Sequence, residues 1–248
     1  MIRILLSGCN GHMGRVIRSI VAGRNDCCIC AGVDINPEPA EFPVYTSFDD
    51  VTEPADVVID FSHTSVLSPL LAYAEKHPVA LVLCTTGYSA EQTQQVRDTA
   101  KKLPVFYSRN MSIGINLLIG LAKKAAQVLG DDFDIEIIEK HHNQKIDAPS
   151  GTALMIADAI AGERDTESKY VYDRHSRRQK REKAEIGLHA VRGGTIVGEH
   201  EVIFAGNSEV ITLSHSAQSK EVFAAGAVNA AVYMAGKPAG LYDMADLI

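Results

Sequence analysis

The sequence predicts an α/β protein in which a doubly wound parallel sheet is joined to a second α+β domain of mainly antiparallel sheet. Two observations predict this fold class. In the first half, short apolar segments such as residues 55–61 and 79–83 alternate with amphipathic helical segments, as they do when helices cover both faces of a parallel sheet. In the second half, residues 133–139 alternate between apolar and acidic side chains, which is typical of a strand with one solvated face.

The first predicted elements are a strand, a glycine-rich turn and a helix, the order found in Rossmann-like domains. Gly8, Gly11 and Gly14 follow an apolar strand over residues 2–6 with the spacing G-x-x-G-x-x-G. We expect Gly8 to allow the tight turn, Gly11 to let the backbone approach a pyrophosphate, and Gly14 to let the helix pack closely on the strand. A second strand ends at Asp34, where an acid contacts the adenosine ribose hydroxyls. An ordinary turn that binds nothing is the alternative.

Further predicted strands and helices alternate up to about residue 112. Helices are predicted over residues 66–76 and 89–102, and a strand over residues 104–107. Since ligands of such sheets lie beyond the carboxyl ends of the strands, the residues that follow each strand are cofactor candidates. The alternatives are core packing for Phe61, a plain turn at 85–87 and a helix cap for Asn110. The predicted cofactor-binding residues are Gly8, Cys9, Asn10, Gly11, His12, Met13, Asp34, Phe61, Cys84, Thr85, Thr86, Ser108, Arg109, Asn110 and Met111.

The stretch from His141 to Thr152 indicates a site for an anion. Two imidazoles and an ammonium, those of His141, His142 and Lys145, precede a predicted helix whose N-cap is Ser150. The backbone N–H groups at a helix start bind anions, and the nearby cations strengthen that attraction. An exposed polar loop is the structural alternative.

The second half is otherwise predicted to contain a helix over residues 114–129, strands over 186–191, 195–204 and 209–215, and an Ala-rich helix over 221–234 that packs on the first domain. The charged segment 162–185 is predicted to be a solvated or mobile loop, since it lacks interleaved aromatic residues for nucleic-acid binding. We therefore expect a dinucleotide-binding domain of residues 1–112 plus 220–248. A substrate-binding and oligomerisation domain would comprise residues 113–219.

Composition excludes several classes of protein. In 248 residues, 46% are hydrophobic and 22% charged, which is ordinary globular usage and argues against disorder. A formal net charge of −7 argues against a nucleic-acid partner. No apolar run suggests a membrane span and no signal peptide is apparent, so we expect a cytoplasmic protein. The five cysteines lack zinc spacing, and no metal site is predicted.

The chain resembles the dihydrodipicolinate reductase family over nearly its whole length. The resemblance is carried by five segments, of which 139–153 is the most specific. They are residues 8–14 (GCNGHMG), 84–87 (CTTG), 110–116 (NMSIGIN), 139–153 (EKHHNQKIDAPSGTA) and 192–200 (RGGTIVGEH).

This resemblance implies that the protein reduces a cyclic imine dicarboxylate to tetrahydrodipicolinate with NADH or NADPH, and that it is a homotetramer built through the sheet of the second domain. It also implies a catalytic acid/base role for His141 and a proton-donor role for Lys145. The substrate carboxylates would be held by His142, Lys145, Ser150, Gly151 and Thr152. A dianionic substrate requires such compensating charge, and reduction of a conjugated imine requires a positioned proton donor.

Asp34 favours NADH, because a carboxylate suits free ribose hydroxyls and repels a 2′-phosphate. Its neighbour is Ile35, where many members of the family carry a basic residue, although Arg15 could still reach a phosphate. Two other functions stay open on the residues alone. A different two-domain nicotinamide dehydrogenase would have no use for the cluster at 141–152, and a non-enzymatic NAD(H) sensor would not require Lys145 beside a helix start.

Overall fold

The computed structural model describes residues 1–247, and its backbone forms two compact units. The first unit contains Met1–Ile113 and Glu221–Ile248, and the second contains Gly114–Lys220. The strands are β1 (Ile2–Ser7), β2 (Cys27–Val33), β3 (Val44–Tyr45), β4 (Val57–Asp60), β5 (Ala80–Leu83), β6 (Pro104–Tyr107), β7 (Asp134–His141), β8 (Lys169–Val171), β9 (Glu185–Arg192), β10 (Gly198–Ala205), β11 (Val210–Ala217) and β12 (Gly240–Tyr242). The helices are α1 (His12–Ala22), α2 (Leu67–Lys76), α3 (Ala90–Ala100), α4 (Ile113–Leu129), α5 (Gly151–Ala161) and α6 (Glu221–Met234).

The first unit is a seven-stranded parallel sheet with the order β12-β6-β5-β4-β1-β2-β3. The chain starts in the middle at β1, proceeds outward through β2 and β3, and then returns to β4 on the other side of β1. This reversal makes the carboxyl ends of β1 and β4 a topological switch point, where such sheets bind ligands. The predicted doubly wound sheet is confirmed.

Helices cover both faces of this sheet because its strands are apolar on both sides. Ile4 and Leu6 of β1 face a core that contains α1 and α6, while Leu5 between them faces a core that contains α2 and α3. Small side chains let α6 approach closely, and a Cβ on Gly226 would collide with the carbonyl oxygen of Met111. The Ala-rich C-terminal helix thus packs in the first unit, as its sequence predicts.

The second unit is a five-stranded sheet with the order β11-β10-β7-β9-β8. The sheet is mixed rather than mainly antiparallel, since β7 and β9 run parallel, as do β8 and β9, while β10 is antiparallel to both β7 and β11. The physical reason is the connection between β7 and β9. Two parallel neighbouring strands require a crossover that returns the chain to the end of the sheet where the first strand began, and α5 with the segment after it forms this crossover. Helices α4 and α5 cover one face.

The charged segment 162–185 is mostly exposed, and residues 172–183 form no helix or strand, as predicted, but other parts of it are held by regular structure and ion pairs. It contains the short strand β8, and Arg174 and Arg181 both bind Glu136 of β7. Arg164 is also fixed, because its guanidinium binds Asp131 and its side chain is only 2% exposed. Carboxylates on the neighbouring elements therefore hold Arg164, Arg174 and Arg181 in place. The sequence of the segment alone does not show these ion pairs.

One segment of the described residues, Ile113–Asp132, is long and apolar enough to cross a membrane by length and composition. This is weak evidence, because helices that pack into a protein core pass the same test. The side chains of Ile115, Leu118, Ala122 and Ala126 on this segment are buried in the core of the second unit.

Candidate functional site

The glycine turn of the first unit has the geometry of a nucleotide cradle. Gly8 adopts a φ of +78°, and a Cβ there would collide with the carbonyl oxygen of Phe61. A Cβ on Gly14 would collide with the carbonyl oxygen of Gly8 and lie 2.7 Å from the carbonyl carbon of Cys9. Helix α1 then begins at His12, and its N-cap residue Gly11 has no side chain to cap it. Its first N–H groups are therefore suited to an anion.

Asp34 lies beside this turn, immediately after β2. Its Oδ2 accepts the backbone N–H of Asn10 at 2.9 Å, and its Oδ1 accepts that of Asn36 at 2.9 Å. The Asn10 amide donates to the carbonyl oxygens of Asn36 and Glu38. Asn10 thus joins the glycine turn to the loop after β2, so its side chain acts on the shape of the site.

The two arginines of α1 that face this loop are each paired with an acid. Arg15 binds Glu38 at 2.7 Å, and Arg18 binds Glu41 at 3.0 Å. The Arg18 guanidinium also lies over the ring of Phe42, 5.4 Å from its centroid. These four charged residues line a surface cavity of about 780 Å³.

Several predicted cofactor residues are instead buried at the strand ends. Cys84 and Met111 are buried, and burial raises the pKa of the Cys84 thiol well above its ordinary value. Ser108 and Asn110 are buried and bind each other, while the Asn110 side chain accepts the N–H of Ser112 at 2.9 Å. The side-chain oxygen of Asn110 thus closes a turn immediately before α4. Gly11, His12, Thr86 and Arg109 are the exposed members of the set, Met13, Asp34 and Phe61 are partly exposed, and Cys9, Asn10 and Thr85 are buried.

A buried carboxylate that sequence reasoning missed connects three of the strand ends. Asp60, the last residue of β4, has no solvent exposure and accepts hydrogen bonds from Ser7 at 2.7 Å, Ser62 at 2.5 Å and Thr85 at 2.7 Å. Thr85 in turn accepts the N–H of Ser62 at 3.1 Å. The signal was an aspartate that closes an otherwise apolar strand, a position where an acid needs partners.

The second unit brings His141 to the end of β7 and fixes it by one ring nitrogen. Its Nδ1 lies 2.6 Å from Oε2 of Glu139, which is fully buried. Across the sheet, the ring of His200 stands nearly edge-on to that of His141, with centroids 5.2 Å apart. Burial, followed by the proximity of His141, lowers the pKa of His200 to about 4, so this second imidazole is neutral at neutral pH.

Helix α5 begins beside this cluster, as the sequence predicts. Ser150 is the N-cap, and its hydroxyl accepts the N–H of Ala153 at 3.1 Å. The same hydroxyl lies 3.1 Å from Nε2 of His200 and is buried, which leaves Gly151 as the exposed residue at the helix start. The Ala148–Pro149 peptide bond before it is cis.

An internal carboxylate already lies at this helix start. The Lys145 ammonium is 2.8 Å from Oδ1 of Asp147. The hydrogen bond from Lys145 is the largest cause that acts on this carboxyl, and it lowers the pKa of Asp147. The Asp147 side chain is 58% exposed, so another carboxylate can compete for the same donors. His142, which is partly exposed, follows directly after β7.

Comparison with known proteins covers the whole chain. The model "Dihydrodipicolinate reductase, N-terminus" matches residues 2–111, and "Dihydrodipicolinate reductase, C-terminus" matches residues 114–248. The chain belongs to the dihydrodipicolinate reductase family. The first unit of this family member is accordingly a nucleotide-binding domain of the Rossmann type.

Individual relatives agree with the family. The 4-hydroxy-tetrahydrodipicolinate reductase of Caldanaerobacter subterraneus subsp. tengcongensis is 53% identical over 100% of this chain and 98% of its own length. The Clostridium tetani protein of the same name is 51% identical over 98% and 96%. The dipicolinate-bound dihydrodipicolinate reductase from Paenisporosarcina sp. TG-14 superposes with a TM-score of 0.82 at 27% identity, covering 98% of this chain and 97% of that one.

More distant structures share the fold alone. A myo-inositol dehydrogenase from Corynebacterium glutamicum has a TM-score of 0.61 at 16% identity, covering 94% of this chain and 87% of that one. A scyllo-inositol dehydrogenase from Lactobacillus casei, solved with NAD(H) and scyllo-inositol, has a TM-score of 0.60 at 12% identity, covering 94% and 88%. The two-unit architecture therefore occurs in enzymes that act on different substrates.

Proposed function

We propose that the protein catalyses the NAD(P)H-dependent reduction that converts the cyclic imine dicarboxylate formed from 4-hydroxy-tetrahydrodipicolinate into tetrahydrodipicolinate, a step of diaminopimelate and lysine biosynthesis. The observation that carries the proposal is the cluster of His141 and Lys145 at the start of α5, where Asp147 already binds as a carboxylate. Membership of the family through both units supports it.

The residues of the first unit fit a dinucleotide. A side chain on Gly8 or Gly14 would collide with the backbone of the turn and of the strand end beside it, and the start of α1 offers N–H groups to a pyrophosphate. When bound, the reduced nicotinamide supplies a hydride. We assign the exposed and partly exposed residues at the strand ends to direct cofactor contact, and Asp60 to holding Thr85 in place.

The residues of the second unit supply charge and a proton. Lys145 and the N–H groups of Gly151 and Thr152 would bind a substrate carboxylate in the place that Asp147 now takes, with His142 nearby. His141, fixed through Nδ1, would present Nε2 for proton transfer as general acid, and Lys145 is the second proton donor of the pair. We assign this unit to substrate binding and, through its sheet, to a homotetramer, which native mass measurement tests.

NADH is the proposed preferred cofactor. Asp34 stands where ribose hydroxyls bind, and Ile35 adds no positive charge. The pairing of Arg15 with Glu38 supports the same preference, because it reduces the positive charge available to a 2′-phosphate.

The deciding assay follows the absorbance of reduced nicotinamide with the freshly made aldol product of pyruvate and aspartate semialdehyde, using NADH and NADPH in parallel. Oxidation of the reduced nicotinamide that depends on both precursors supports the reductase activity. The rates with NADH and NADPH then show which cofactor is preferred. Cofactor binding without oxidation would contradict the proposal and favour a sensor of NAD(H). Oxidation with a sugar or amino acid instead would favour another dehydrogenase.

A further inference from the structure

The buried carboxylate of Glu139 is contacted by three residues through four polar contacts. Arg192 donates to both of its oxygens, Nη1 to Oε2 at 2.8 Å and Nη2 to Oε1 at 2.7 Å. The backbone N–H of Ser150 donates to Oε1 at 2.9 Å, and Nδ1 of His141 lies 2.6 Å from Oε2. Each oxygen thus serves two partners, and the carboxylate has no freedom to rotate.

The charge state of Glu139 follows from these contacts. Burial alone would raise its pKa, but hydrogen bonds from His141, Arg192 and the Ser150 N–H outweigh burial and lower the pKa to about 2. At neutral pH the group is therefore an anion that can only accept hydrogen bonds. The Nδ1 atom of His141 must then carry a proton whether or not the ring is charged.

The other ring nitrogen of His141, Nε2, is available for proton exchange. A Cβ added to Gly198 would lie 3.1 Å from Nε2, so the glycine at the start of β10 keeps this edge of the ring uncrowded. His200 is directed elsewhere, since its Nε2 lies 3.1 Å from the Ser150 hydroxyl. Nε2 of His141 is therefore bound by neither Glu139 nor His200 and can exchange a proton with solvent or substrate.

We propose that Glu139 is a positioning residue: with Arg192 holding its carboxylate, it keeps a proton on Nδ1 and fixes the orientation of the His141 ring, so that Nε2 is the atom that takes up a proton from solvent and passes it to the substrate. This inference rests on the proposed role of His141 as general acid. It adds to that role the group that sets the tautomer of the ring. A carboxylate that accepts a hydrogen bond from the second ring nitrogen does this for other catalytic imidazoles.

The decisive variant is Glu139→Gln, because it keeps the shape and reverses the hydrogen bond. Arg192 Nη2 and the Ser150 N–H both require an acceptor at the Oε1 position, so the amide oxygen takes that place, and the amide NH₂ takes the place of Oε2, where it faces Nδ1 of His141 and Nη1 of Arg192. His141 must then accept at Nδ1 and carry its proton at Nε2. We expect kcat to fall about 10²-fold or more while the Kd of NADH is unchanged.

The tautomer itself gives a readout that loss of structure alone would not produce. In protein labelled with ¹⁵N at histidine, the neutral His141 ring of the parent should be protonated at Nδ1, and that of Glu139→Gln at Nε2. Glu139→Asp keeps the charge, and we expect it to retain the Nδ1–H form with a smaller loss of kcat. The control is Glu185→Gln, which removes another buried carboxylate from a guanidinium, that of Arg174 at 2.7 Å, and should keep parental kcat.

The outcomes separate the two proposals. Near-parental turnover in His141→Gln would overturn the role of His141, and with it the basis of the inference. Loss of turnover in His141→Gln, combined with parental kcat and an Nδ1–H ring in Glu139→Gln, would overturn the positioning role alone. If Glu139→Gln does not fold, the Asp variant decides: an Nδ1–H ring with partial kcat supports the proposal, and parental kcat with a mixed tautomer contradicts it.

Discussion

At the scale of single residues, Lys145 is a cation of the candidate site whose partner can be exchanged. Its ion pair with Asp147 is partly solvated, and such pairs contribute only about 1 kcal/mol or less. In the proposed function, a substrate carboxylate would therefore replace Asp147 with little loss of binding free energy. The internal pair would keep the ammonium at the helix start in the absence of substrate.

Removing this ammonium should affect chemistry and not cofactor binding. We expect Lys145→Ala to lower kcat about 10²-fold or more, since a positioned proton donor is worth roughly 10²- to 10⁴-fold, and to leave the Kd of NADH nearly unchanged. Steady-state kinetics and cofactor titration check both parts. Lys140→Ala, which breaks a comparable pair with Glu199, serves as the control, and near-parental turnover in the Lys145 variant would contradict the assignment.

Cofactor choice is also expected to depend on one acid of the first unit. Glu38→Gln removes the carboxylate that pairs with Arg15, whose Nε still donates to the carbonyl oxygen of Asn10, and we expect kcat/KM with NADPH to rise several-fold relative to NADH, about 1 kcal/mol of discrimination. The matched control is Glu41→Gln, which removes the carboxylate from Arg18, because that guanidinium stays packed on Phe42 and bound to the Asn10 side chain. An unchanged cofactor ratio in the Glu38 variant would exclude this acid as a determinant.

The sequence predicts site residues well where a backbone requirement selects the residue type. Gly8 and Gly14 lie where any Cβ would collide, and that requirement is visible as a glycine pattern. Glu139 was missed as a site residue because acids are expected on the solvated face. Side chains alternate between the two faces of β7, however, so Glu139 lies on the same buried face as Ile135 and Ile137. The alternation of apolar and acidic residues breaks at the two consecutive isoleucines 137–138.

At the scale of elements, the start of α5 offers a test of carboxylate binding that leaves the fold intact. A Cβ on Gly151 would meet nothing within 4 Å, so Gly151→Ala requires no rearrangement. The methyl group would nonetheless occupy the space above the first N–H groups, where the substrate carboxylate is proposed to bind.

We expect Gly151→Ala to raise the KM of the dicarboxylate about tenfold, equivalent to about 1.4 kcal/mol, with no loss of thermal stability. Kinetics and a melting curve check the two parts. Gly193→Ala in the loop after β9, where a Cβ also meets nothing within 4 Å, is the control for glycine loss. An unchanged KM in the Gly151 variant would exclude the helix start as the carboxylate site.

Long periodic elements were predictable, whereas short ones and strand pairing were not. The helix predicted over residues 89–102 is present as α3, and reciprocal hydrogen bonds between Ser89 and Gln92 cap its start. Strands β3, β8 and β12 have only two or three residues and offer no period to detect. The parallel pairing of β7 with β9 depends on where the crossover returns the chain, which local pattern does not encode.

At the scale of the whole molecule, His200 should make stability depend on pH. Its pKa is about 4 in the folded protein against 6.5 for the ordinary group, so the unfolded chain binds the proton more tightly. The stability that neutral His200 contributes is complete above pH 6.5 and is lost as pH falls toward 4. Glu139 adds a second loss between pH 4.5 and about 2.

Between pH 7.5 and 5 we expect the protein to lose about 2 kcal/mol of unfolding free energy through His200. His200→Gln, whose amide can still reach the Ser150 hydroxyl, should lose correspondingly less over the same range. Denaturant unfolding at the two pH values measures the difference. The exposed His175→Gln should behave like the parent, and an equal pH response in the His200 variant would contradict the assignment.

The return of the chain to the first unit has a consequence for synthesis on the ribosome. Helix α6 covers one face of the parallel sheet, where Ala227, Val228 and Ala231 join the side chains of β1 and β4 in one apolar cluster. Residues 1–113 leave the exit tunnel more than a hundred residues before this helix does. Throughout translation of the second unit, this face of the nascent sheet is therefore covered by α1 but not by α6, and exposed apolar surface of that kind favours aggregation and chaperone binding.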